Sequence, residues 1–176
     1  NDAPATAHGR YCSAQRSCVV CRAGAAVVED DAVAAEVELR DAGIYYSWSH
    51  IYGHRVLPGD SSRLLAYAEI ADTKFPWSHL NGSTASLVNF AEDLQRLNIE
   101  LTVNMLNHVN PHTGRRYADD PALSFIELQN EDNIFWGAIE ATLKQTPTYR
   151  KLLCKKFSSW LEDKYQTQEA LVAAWK

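Results

Sequence analysis

The stretch ADDPALSFIELQNEDN, residues 118–133, decides the fold that we expect for this chain. A turn at 119–121 leads into an apolar segment, and the pattern predicts a strand over 122–131. Alternation places Ser124, Ile126, Leu128 and Asn130 on one face and Phe125, Glu127, Gln129 and Glu131 on the other. The second, polar face is costly in an open doubly wound sheet, which helices cover on both sides. It suits the lumen of a closed barrel, so the pattern favours a (β/α)8 barrel.

The first half of the chain predicts an α/β order. The segment AAVVE (25–29) predicts a short strand, and an Ala-rich helix follows it and ends at Gly43. The aromatic stretch 44–52 predicts a second strand, and the order strand, helix, strand indicates a parallel pairing. Residues 53–85 predict a long loop with one short helix near SSRLLAYAEIA. We find no hairpin signal in the chain.

Three further helices are predicted around the strand at 122–131. The first has one apolar stripe, formed by Leu87, Phe90, Leu94, Leu97, Leu101 and Met105. It must end before Asn110-Pro111, because a residue before proline is pushed out of the helical region. Thr146 and Pro147 predict the start of a second helix that runs to about residue 165. Its expected buried residues are Tyr149, Leu153 and Trp160. A last helix is predicted from near Thr167.

Length, charge and composition narrow the class of protein. At 176 residues and 46% hydrophobic, the chain is long enough for one globular domain with a core. The net charge is -5 and the basic residues are scattered, so we expect no nucleic-acid partner. No apolar run approaches the ~20 residues that span a bilayer, so we expect no membrane association. The N-terminus has no recognisable signal sequence, so the protein is either intracellular or has had a signal removed, and we slightly favour a secreted or periplasmic location.

We divide the chain into an irregular segment, residues 1–24, and a partial barrel domain, residues 25–176. The first segment contains His8, Cys12, Cys18 and Cys21, whose spacing leaves open plain thiols, a disulfide or a metal site. Because the spacing fits no established zinc pattern, we predict neither a metal nor an organic cofactor. Cys154 lies in a helical pattern and is expected to be a small core residue.

The stretch 118–133 resembles the fourth-strand region of the clan A glycoside hydrolases, the (β/α)8-barrel group of cellulases, β-mannanases and β-galactosidases. Members of that group commonly have a D-P-A lead-in, an apolar strand and then Asn-Glu. The flanking sequences NHVNPHTGRRYADDPAL (107–123) and YRKLLCKKFSSWLEDKY (149–165) also look like cellulase-like members. The resemblance spans roughly residues 40–176 and implies about half of a TIM-barrel-like α/β fold with parallel strands.

The resemblance also implies roles for two residues. Glu131 corresponds to the general acid/base, which protonates the glycosidic oxygen and later activates water. Asn130 corresponds to the residue that hydrogen-bonds the sugar 2-hydroxyl. A carboxyl in a partly apolar pocket has its pKa raised enough to act as an acid near neutral pH. The alternative is that Glu131 is a solvated carboxylate at the end of a strand.

A second carboxylate is missing from the pattern. Retaining glycosidases need one about 5 to 5.5 Å from the first, and in clan A it sits on the seventh strand, which has no counterpart here. Glu127 would lie about 13 Å deeper along the strand. Asp60, Asp72 and Asp132 remain as substitutes, and the wider spacing of inverting enzymes suits them best. A half-barrel also leaves two open sheet edges, so we expect a homodimer or larger assembly, or a part of a longer chain.

Aromatic and histidine side chains near the expected barrel mouth are candidates for sugar binding. The predicted substrate-binding residues, besides Asn130, are Trp48, His50, Tyr52, Trp77, His79 and Trp136. The first three lie, with His54, at the C-terminal end of the strand 44–52, where barrel enzymes build their sites. For Trp48, a place in the core is an equal alternative. Structural roles are expected for His108, His112, Trp160 and Trp175.

The sequence therefore predicts a glycoside hydrolase that acts on a β-1,4-linked polysaccharide or oligosaccharide, in the manner of cellulases and mannanases. Glu131 would be its acid/base and the carbohydrate its main partner. The alternative is a non-catalytic carbohydrate-binding or assembly half-barrel, or an inactive fragment that lacks the nucleophile. The missing half of the barrel favours this alternative, whereas the intact Asn130-Glu131 pair favours the enzyme.

Overall fold

The computed structural model describes residues 20–22, 25–27, 30–49, 55–71, 82–129, 131–135 and 138–175. The fold is mixed α/β and mostly helical. The described strands are β1 (Val20–Arg22), β2 (Ala25–Val27), β3 (Tyr46–Ser49) and β4 (Leu123–Glu127). The described helices are α1 (Asp30–Asp41), α2 (Tyr67–Ala71), α3 (Glu92–Asn107), α4 (Ala138–Gln145), α5 (Pro147–Tyr165) and α6 (Gln168–Ala174).

The chain forms two compact units, each assembled from two separate segments. Asn1–His54 and Leu97–Glu131 make up the first unit, and Arg55–Arg96 and Asp132–Lys176 make up the second. Each unit has its own cluster of buried hydrophobic side chains. Each is therefore stabilised by a core of its own.

Strands β3 and β4 of the first unit pair in parallel, as expected for an α/β fold. Tyr46 lies opposite Leu123 and Ser49 opposite Glu127, with an irregularity in register after Tyr46. The Ser124 hydroxyl donates to the Tyr46 carbonyl at 3.0 Å, where the register shifts. Within the residues that the structure describes, this is the one parallel pair, and those residues do not form a complete barrel.

The irregular register makes the predicted sorting of this strand into two faces wrong. Leu123 and Ile126 both pack against the core of the first unit, although they are an odd number of residues apart. Phe125 and Leu128 are 56% and 60% exposed. The strand also ends at Glu127, short of the predicted end at residue 131. An extra residue in one strand reverses the alternation beyond it, and sequence periodicity does not reveal that.

The core of the first unit combines residues from β3, α3 and the segment that leads into β4. Its buried members are Tyr46, Trp48, Leu101, Met105, Tyr117 and Ala122. Helix α1 packs against them through Leu39 and ends at the predicted glycine. Gly43 has a φ of 70°, and the Ile44 amide donates to the Leu39 carbonyl at 2.8 Å. This left-handed turn directs the chain from α1 into β3.

A short hairpin precedes α1. Strands β1 and β2 pair antiparallel, with Val20 opposite Val27. The prediction that the chain has no hairpin was therefore wrong, as was the irregular assignment at Val20–Arg22. The parallel pairing expected between the first two strands was also wrong, because β2 pairs with β1. Ala23 and Gly24 separate the two strands, and a two-residue connection with glycine is a hairpin signal.

The apolar stripe from residue 87 to residue 105 is buried along its length, as predicted. The α-helix, however, begins only at Glu92. Leu87–Asn89 form a separate 3₁₀ turn, and Phe90 at its end has a φ of −137°, far from helical values, so the helix is not continuous along the stripe. The helix ends at Asn107, before Asn110-Pro111, which confirms the predicted end.

The core of the second unit comprises Val56, Ile70, Leu87, Phe90, Ala91, Leu94 and Tyr149.

Helix α5 of the second unit begins at Pro147, as predicted. Thr146 does not cap it, because its hydroxyl donates to the Thr142 carbonyl at 2.9 Å. Glu69 of α2 supplies the missing acceptor, and its carboxylate binds the amide of Thr148 at 2.8 Å and the hydroxyl of the same residue. A carboxylate at this end also interacts favourably with the helix dipole, so α2 and α5 are held together here.

Three predictions for the C-terminal region were wrong. Residues 138–145, which lie between the predicted strand and the helix predicted from Thr146 and were predicted as a loop, form α4. Trp160 is 49% exposed, and its ring stacks on Phe157 with 5.8 Å between centroids. Cys154 is exposed as well. In the described residues, α5 reaches the core through its first turns, at Tyr149, Leu152 and Leu153. Helical spacing identifies a face of a helix, but it does not tell how far along the helix that face stays covered.

Helix α6 begins where the sequence predicts. The Thr167 hydroxyl accepts the amide of Ala170 at 3.1 Å, which caps the helix. Trp175 is 63% exposed, and its indole N–H donates to the Tyr165 hydroxyl at 3.1 Å. In the described part of the chain, none of the helices combines the length and the apolarity that a membrane crossing requires.

Candidate functional site

Glu131, the predicted acid/base, lies in the first unit shortly after β4. Because β3 and β4 are parallel, their ends at Ser49 and Glu127 lie at the same edge of the pair. Glu131 follows this edge, with an exposed side chain and a left-handed backbone at a φ of 48°. Asn130, its predicted partner in sugar binding, lies outside the described residues.

This placement differs from a carboxylate at the tip of a strand. The strand has ended before Glu131, and the left-handed φ there marks a turn, since such a backbone is rare for residues other than glycine. Non-glycine residues with this backbone cluster at functional sites, where the surrounding structure holds them. The exposed side chain, however, differs from the partly apolar pocket that the resemblance implies.

Asp132, one candidate for a second carboxylate, anchors a turn of the second unit. Its carboxylate accepts the backbone amide of Ser86 at 2.6 Å and the hydroxyl of Ser86 at 3.1 Å. Ser86 is fully buried and left-handed, so these bonds hold a strained turn in place. Burial raises the pKa of Asp132, and the hydrogen bonds from Ser86 oppose the rise. Both oxygens of Asp132 therefore serve the turn before α3.

Two other candidate carboxylates also have structural partners. The Asp60 carboxylate accepts the Leu57 amide at 2.8 Å, and this bond caps the 3₁₀ turn Pro58–Asp60. The same carboxylate lies 3.9 Å from the Arg63 guanidinium. Glu127 ends β4 opposite Ser49 and is half-buried. Asp72 lies outside the described residues. The second carboxylate of a glycosidase is therefore not assigned to any of these residues.

Trp48 lies in the core and not at a surface. It is 5% exposed, and its ring packs edge-to-face on Tyr117 with 4.3 Å between centroids. Its burial agrees with the core alternative and leaves no ring face open to a sugar. Another neighbour of Tyr117 is His108, which stacks on it at 6.0 Å. The other candidate sugar contacts, His50, Tyr52, His54, Trp77, His79 and Trp136, lie outside the described residues.

A buried carboxylate that the sequence analysis missed lies beside Trp48. Glu36 of α1 is 4% exposed, and its Oε1 accepts the indole N–H of Trp48 at 2.8 Å. Its other oxygen, Oε2, is buried without a hydrogen-bond partner. The Tyr117 hydroxyl and the side-chain nitrogen of Asn110 are likewise buried without a hydrogen-bond partner. The first unit thus holds three buried polar atoms whose hydrogen bonding is incomplete.

The electrostatic environment of Glu36 favours its neutral form. Burial raises the pKa of Glu36, and the negative charge of Asp120 adds to the rise. The hydrogen bond from Trp48 lowers this pKa. The nearby Tyr117 hydroxyl also lowers it, although the contact lacks the geometry of a full hydrogen bond. Asp120 itself is 8% exposed and accepts the Tyr46 hydroxyl at 3.1 Å. Two carboxylates are therefore buried in one core.

Helical spacing is the signal that could have found Glu36. Leu39 packs against the core, and residues three apart on a helix lie on the same face. Glu36 therefore falls on the buried face of α1. An acidic residue at such a position is uncommon unless it has a partner, and this rarity marks it as a candidate.

The structure offers no assembled metal site in the residues it describes, since no three His, Cys, Asp or Glu side chains gather closely enough there. Cys12 and Cys18 lie outside those residues, and Cys21 is placed on β1. Plain thiols, a disulfide and a metal site therefore stay as alternatives for the N-terminal segment.

Comparison with protein-family models, with curated proteins and with solved structures finds no match. A function for this chain therefore has to be proposed from its own residues and from the resemblance of residues 118–133 to clan A.

Proposed function

We propose that the chain is a β-glycoside hydrolase of the clan A type, or a part of one, with Glu131 as the general acid/base. The observation that carries the proposal is the parallel pairing of β3 with β4, because Glu131 follows the shared C-terminal edge of that pair. Parallel barrels build their active sites from the segments that follow this edge. In the proposal, β3 and β4 are neighbouring strands of a partial barrel.

The lead-in Asp120–Ala122 supports the proposal through its contacts with β3. The Asp120 carboxylate accepts the Tyr46 hydroxyl at 3.1 Å and the Ala122 amide at 2.9 Å. The Tyr46 amide donates to the Ala122 carbonyl at 2.9 Å. These bonds tie the start of β4 to the start of β3. These contacts at the N-terminal end fix the register of the pair. The register in turn determines where the chain leaves β4 toward Glu131.

In the proposed reaction, the second carboxylate attacks the anomeric carbon as the glycosidic bond breaks, and the leaving oxygen takes its proton from the acid form of Glu131. Its ionised form then takes a proton from the attacking water. Asn130 would hydrogen-bond the 2-hydroxyl of the sugar. The substrate is a β-1,4-linked polysaccharide or oligosaccharide. The second carboxylate would come either from another copy of the chain, through self-association, or from the rest of a longer polypeptide.

The test is hydrolysis of aryl β-glucosides, aryl β-mannosides and β-1,4-linked polysaccharides by the chain and by Glu131→Gln. Glu162→Gln, which alters an exposed acid on α5, is the matched control. We expect the chain to hydrolyse at least one substrate. Loss of a general acid/base lowers the rate about 10²- to 10⁴-fold, so Glu131→Gln should lose that much and Glu162→Gln nothing.

Other outcomes separate the alternatives. Equal rates for the chain and Glu131→Gln would contradict the role of Glu131. Binding of cellohexaose by calorimetry without any hydrolysis would favour the non-catalytic carbohydrate-binding half-barrel. A chain that neither binds nor hydrolyses these sugars would overturn the proposal. Sedimentation as a monomer would count against a second copy as the source of the missing carboxylate.

A further inference from the structure

Glu36 of the first unit is an acid on the buried face of a helix. It is 4% exposed, and one of its two oxygens has a donor, the indole N–H of Trp48. The second oxygen has none and is out of reach of solvent. An ionised carboxylate has two oxygens that each need donors, so a buried one with a single donor is poorly compensated.

The groups that face Glu36 do not supply the missing compensation. The negative charge of Asp120, from the segment before β4, opposes a negative charge at Glu36, while the Tyr46 hydroxyl of β3 is neutral and donates to Asp120. Tyr117, from the turn before β4, is uncharged, and His108 lies against the ring of Tyr117. In the described part of the chain, no ion pair involves Glu36. The surroundings of this carboxyl are therefore acidic or neutral.

A neutral carboxyl fits the same surroundings. With a proton on Oε2, Glu36 still accepts the Trp48 indole at Oε1, and it no longer carries a buried charge that a second donor would have to compensate. The proton comes from solvent when the unit closes.

We propose that Glu36 binds a proton when the first unit folds, and that the neutral carboxyl fastens helix α1 to strand β3 in a contact that weakens as the pH rises. This inference goes beyond the proposed hydrolase activity and does not depend on it. It makes the packing of α1 a pH-sensitive feature of the unit.

The sign of the effect follows from proton counting. Burial raises the pKa of Glu36 above the ordinary glutamate value, so between these two values the folded unit binds more protons than the unfolded chain. Below the ordinary value both states are protonated, and the stabilisation is fully present. As the pH rises through the raised value the stabilisation is lost. The opening equilibrium then changes by up to about tenfold per pH unit.

Amide hydrogen exchange tests the proposal one unit at a time. Protection factors of the amides of α1 and β3 would be measured from about pH 5 to about pH 8 in the wild-type chain and in two variants. Glu36→Gln mimics the neutral carboxyl and does not titrate. Glu38→Gln, which alters an exposed acid on the same helix, is the matched control.

In the wild-type chain and in Glu38→Gln, we expect protection of α1 and β3 to fall as the pH rises. In Glu36→Gln it should stay level and should exceed the wild-type value at the upper end of the range. A parallel pH dependence in Glu36→Gln, or a variant that fails to fold, would show that the charged form is required and would overturn the proposal. The ¹³C shift of the Glu36 carboxyl provides a direct check, and titration at or below the ordinary glutamate value would also overturn it.

Discussion

Glu36 of the first unit has a poorer supply of hydrogen-bond donors than two carboxylates of the second unit. In the second unit, Asp132 accepts two hydrogen bonds from Ser86, and Asp93 accepts the Leu65 amide and the Tyr149 hydroxyl, each at 2.8 Å. In the first unit, Glu36 accepts one bond, and its second oxygen has no partner. Glu36 is nevertheless the most deeply buried of the three, since it is 4% exposed and the two aspartates are only partly buried.

The source of donors explains the difference. Asp132 and Asp93 lie near turns and helix starts, where backbone amides have no partner inside a helix and are free to bind a carboxylate. Glu36 lies within α1, where the amides bond to carbonyls of the same helix. Its donors must therefore be side chains, and Trp48 supplies one. A buried acid at a turn acts as an anchor, whereas a buried acid on a helix face is better neutral.

The largest expected effect comes from removing the donor of Glu36. Trp48→Ala deletes a buried ring and the indole N–H, so we expect a loss of about 3–5 kcal/mol in the free energy of unfolding. Denaturant unfolding followed by circular dichroism measures it. Trp160→Ala removes an equally large but half-exposed ring and should cost much less. Equal costs for the two variants would contradict the assignment of one tryptophan to the core and the other to the surface.

A smaller effect is expected at the anchor of the second unit. Asp132→Ala leaves the amide and hydroxyl of the buried Ser86 without their acceptor, which should lower the free energy of unfolding by about 1–3 kcal/mol. Asp163→Ala, at an exposed acid on α5, serves as the control. Hydrogen exchange at amides 86–91 would locate the loss. Unchanged protection there would contradict the anchoring role.

The same residue gives a pH test that sharpens the comparison with Glu36. Burial raises the pKa of Asp132, so its contribution to stability is complete below the ordinary aspartate value and declines as the pH rises through the raised value. Asp132→Asn does not titrate, and its stability should be flatter with pH than that of the wild-type chain. The measurement is denaturant unfolding across this pH range. Parallel curves would mean that another group controls the pH dependence of the second unit.

The smallest effects are expected at two glycines, one in each unit. Gly43 has a φ of 70°, and a Cβ added there would meet only open space, so Gly43→Ala should cost about 1 kcal/mol from backbone strain alone. Gly82 has a φ of 80°, and an added Cβ would lie 3.1 Å from the Val56 carbonyl oxygen. Gly82→Ala should therefore cost more, about 2 kcal/mol. Thermal unfolding of both variants decides the order, and the reverse order would contradict the crowding at Gly82.

Sequence patterns predicted the elements whose ends depend on local chemistry. Gly43 ends α1, Pro147 begins α5 and Thr167 caps α6 because backbone strain or an unused amide acts at those residues alone. The parallel pairing of β3 and β4 also followed, since consecutive strands joined through helices pair in that way. The start of α3 did not, because the non-helical backbone at Phe90 has no signature in an apolar stripe.

The candidate residues divide along a similar line. Glu131 was singled out through the resemblance to a motif, and the structure places it after β4 with an exposed side chain. Glu36 was missed because its importance comes from Trp48 and Tyr117, which are distant in the sequence and close in space. The predicted faces of β4 failed for the same reason, as the register is set by contacts with β3.

Residue type and spacing along the chain thus specified the C-terminal ends of α1 and α3 and the starts of α5 and α6. They also specified the apolar stripe of α3 and the strand that precedes Glu131. Tertiary contacts decided the exposure of Trp160, the burial of Glu36 and the way in which Asp132 anchors the turn at Ser86. Backbone geometry responds to neighbours within a few residues, so it can be read locally. Burial and protonation respond to whatever lies across the core, and these partners are known only once the chain has folded.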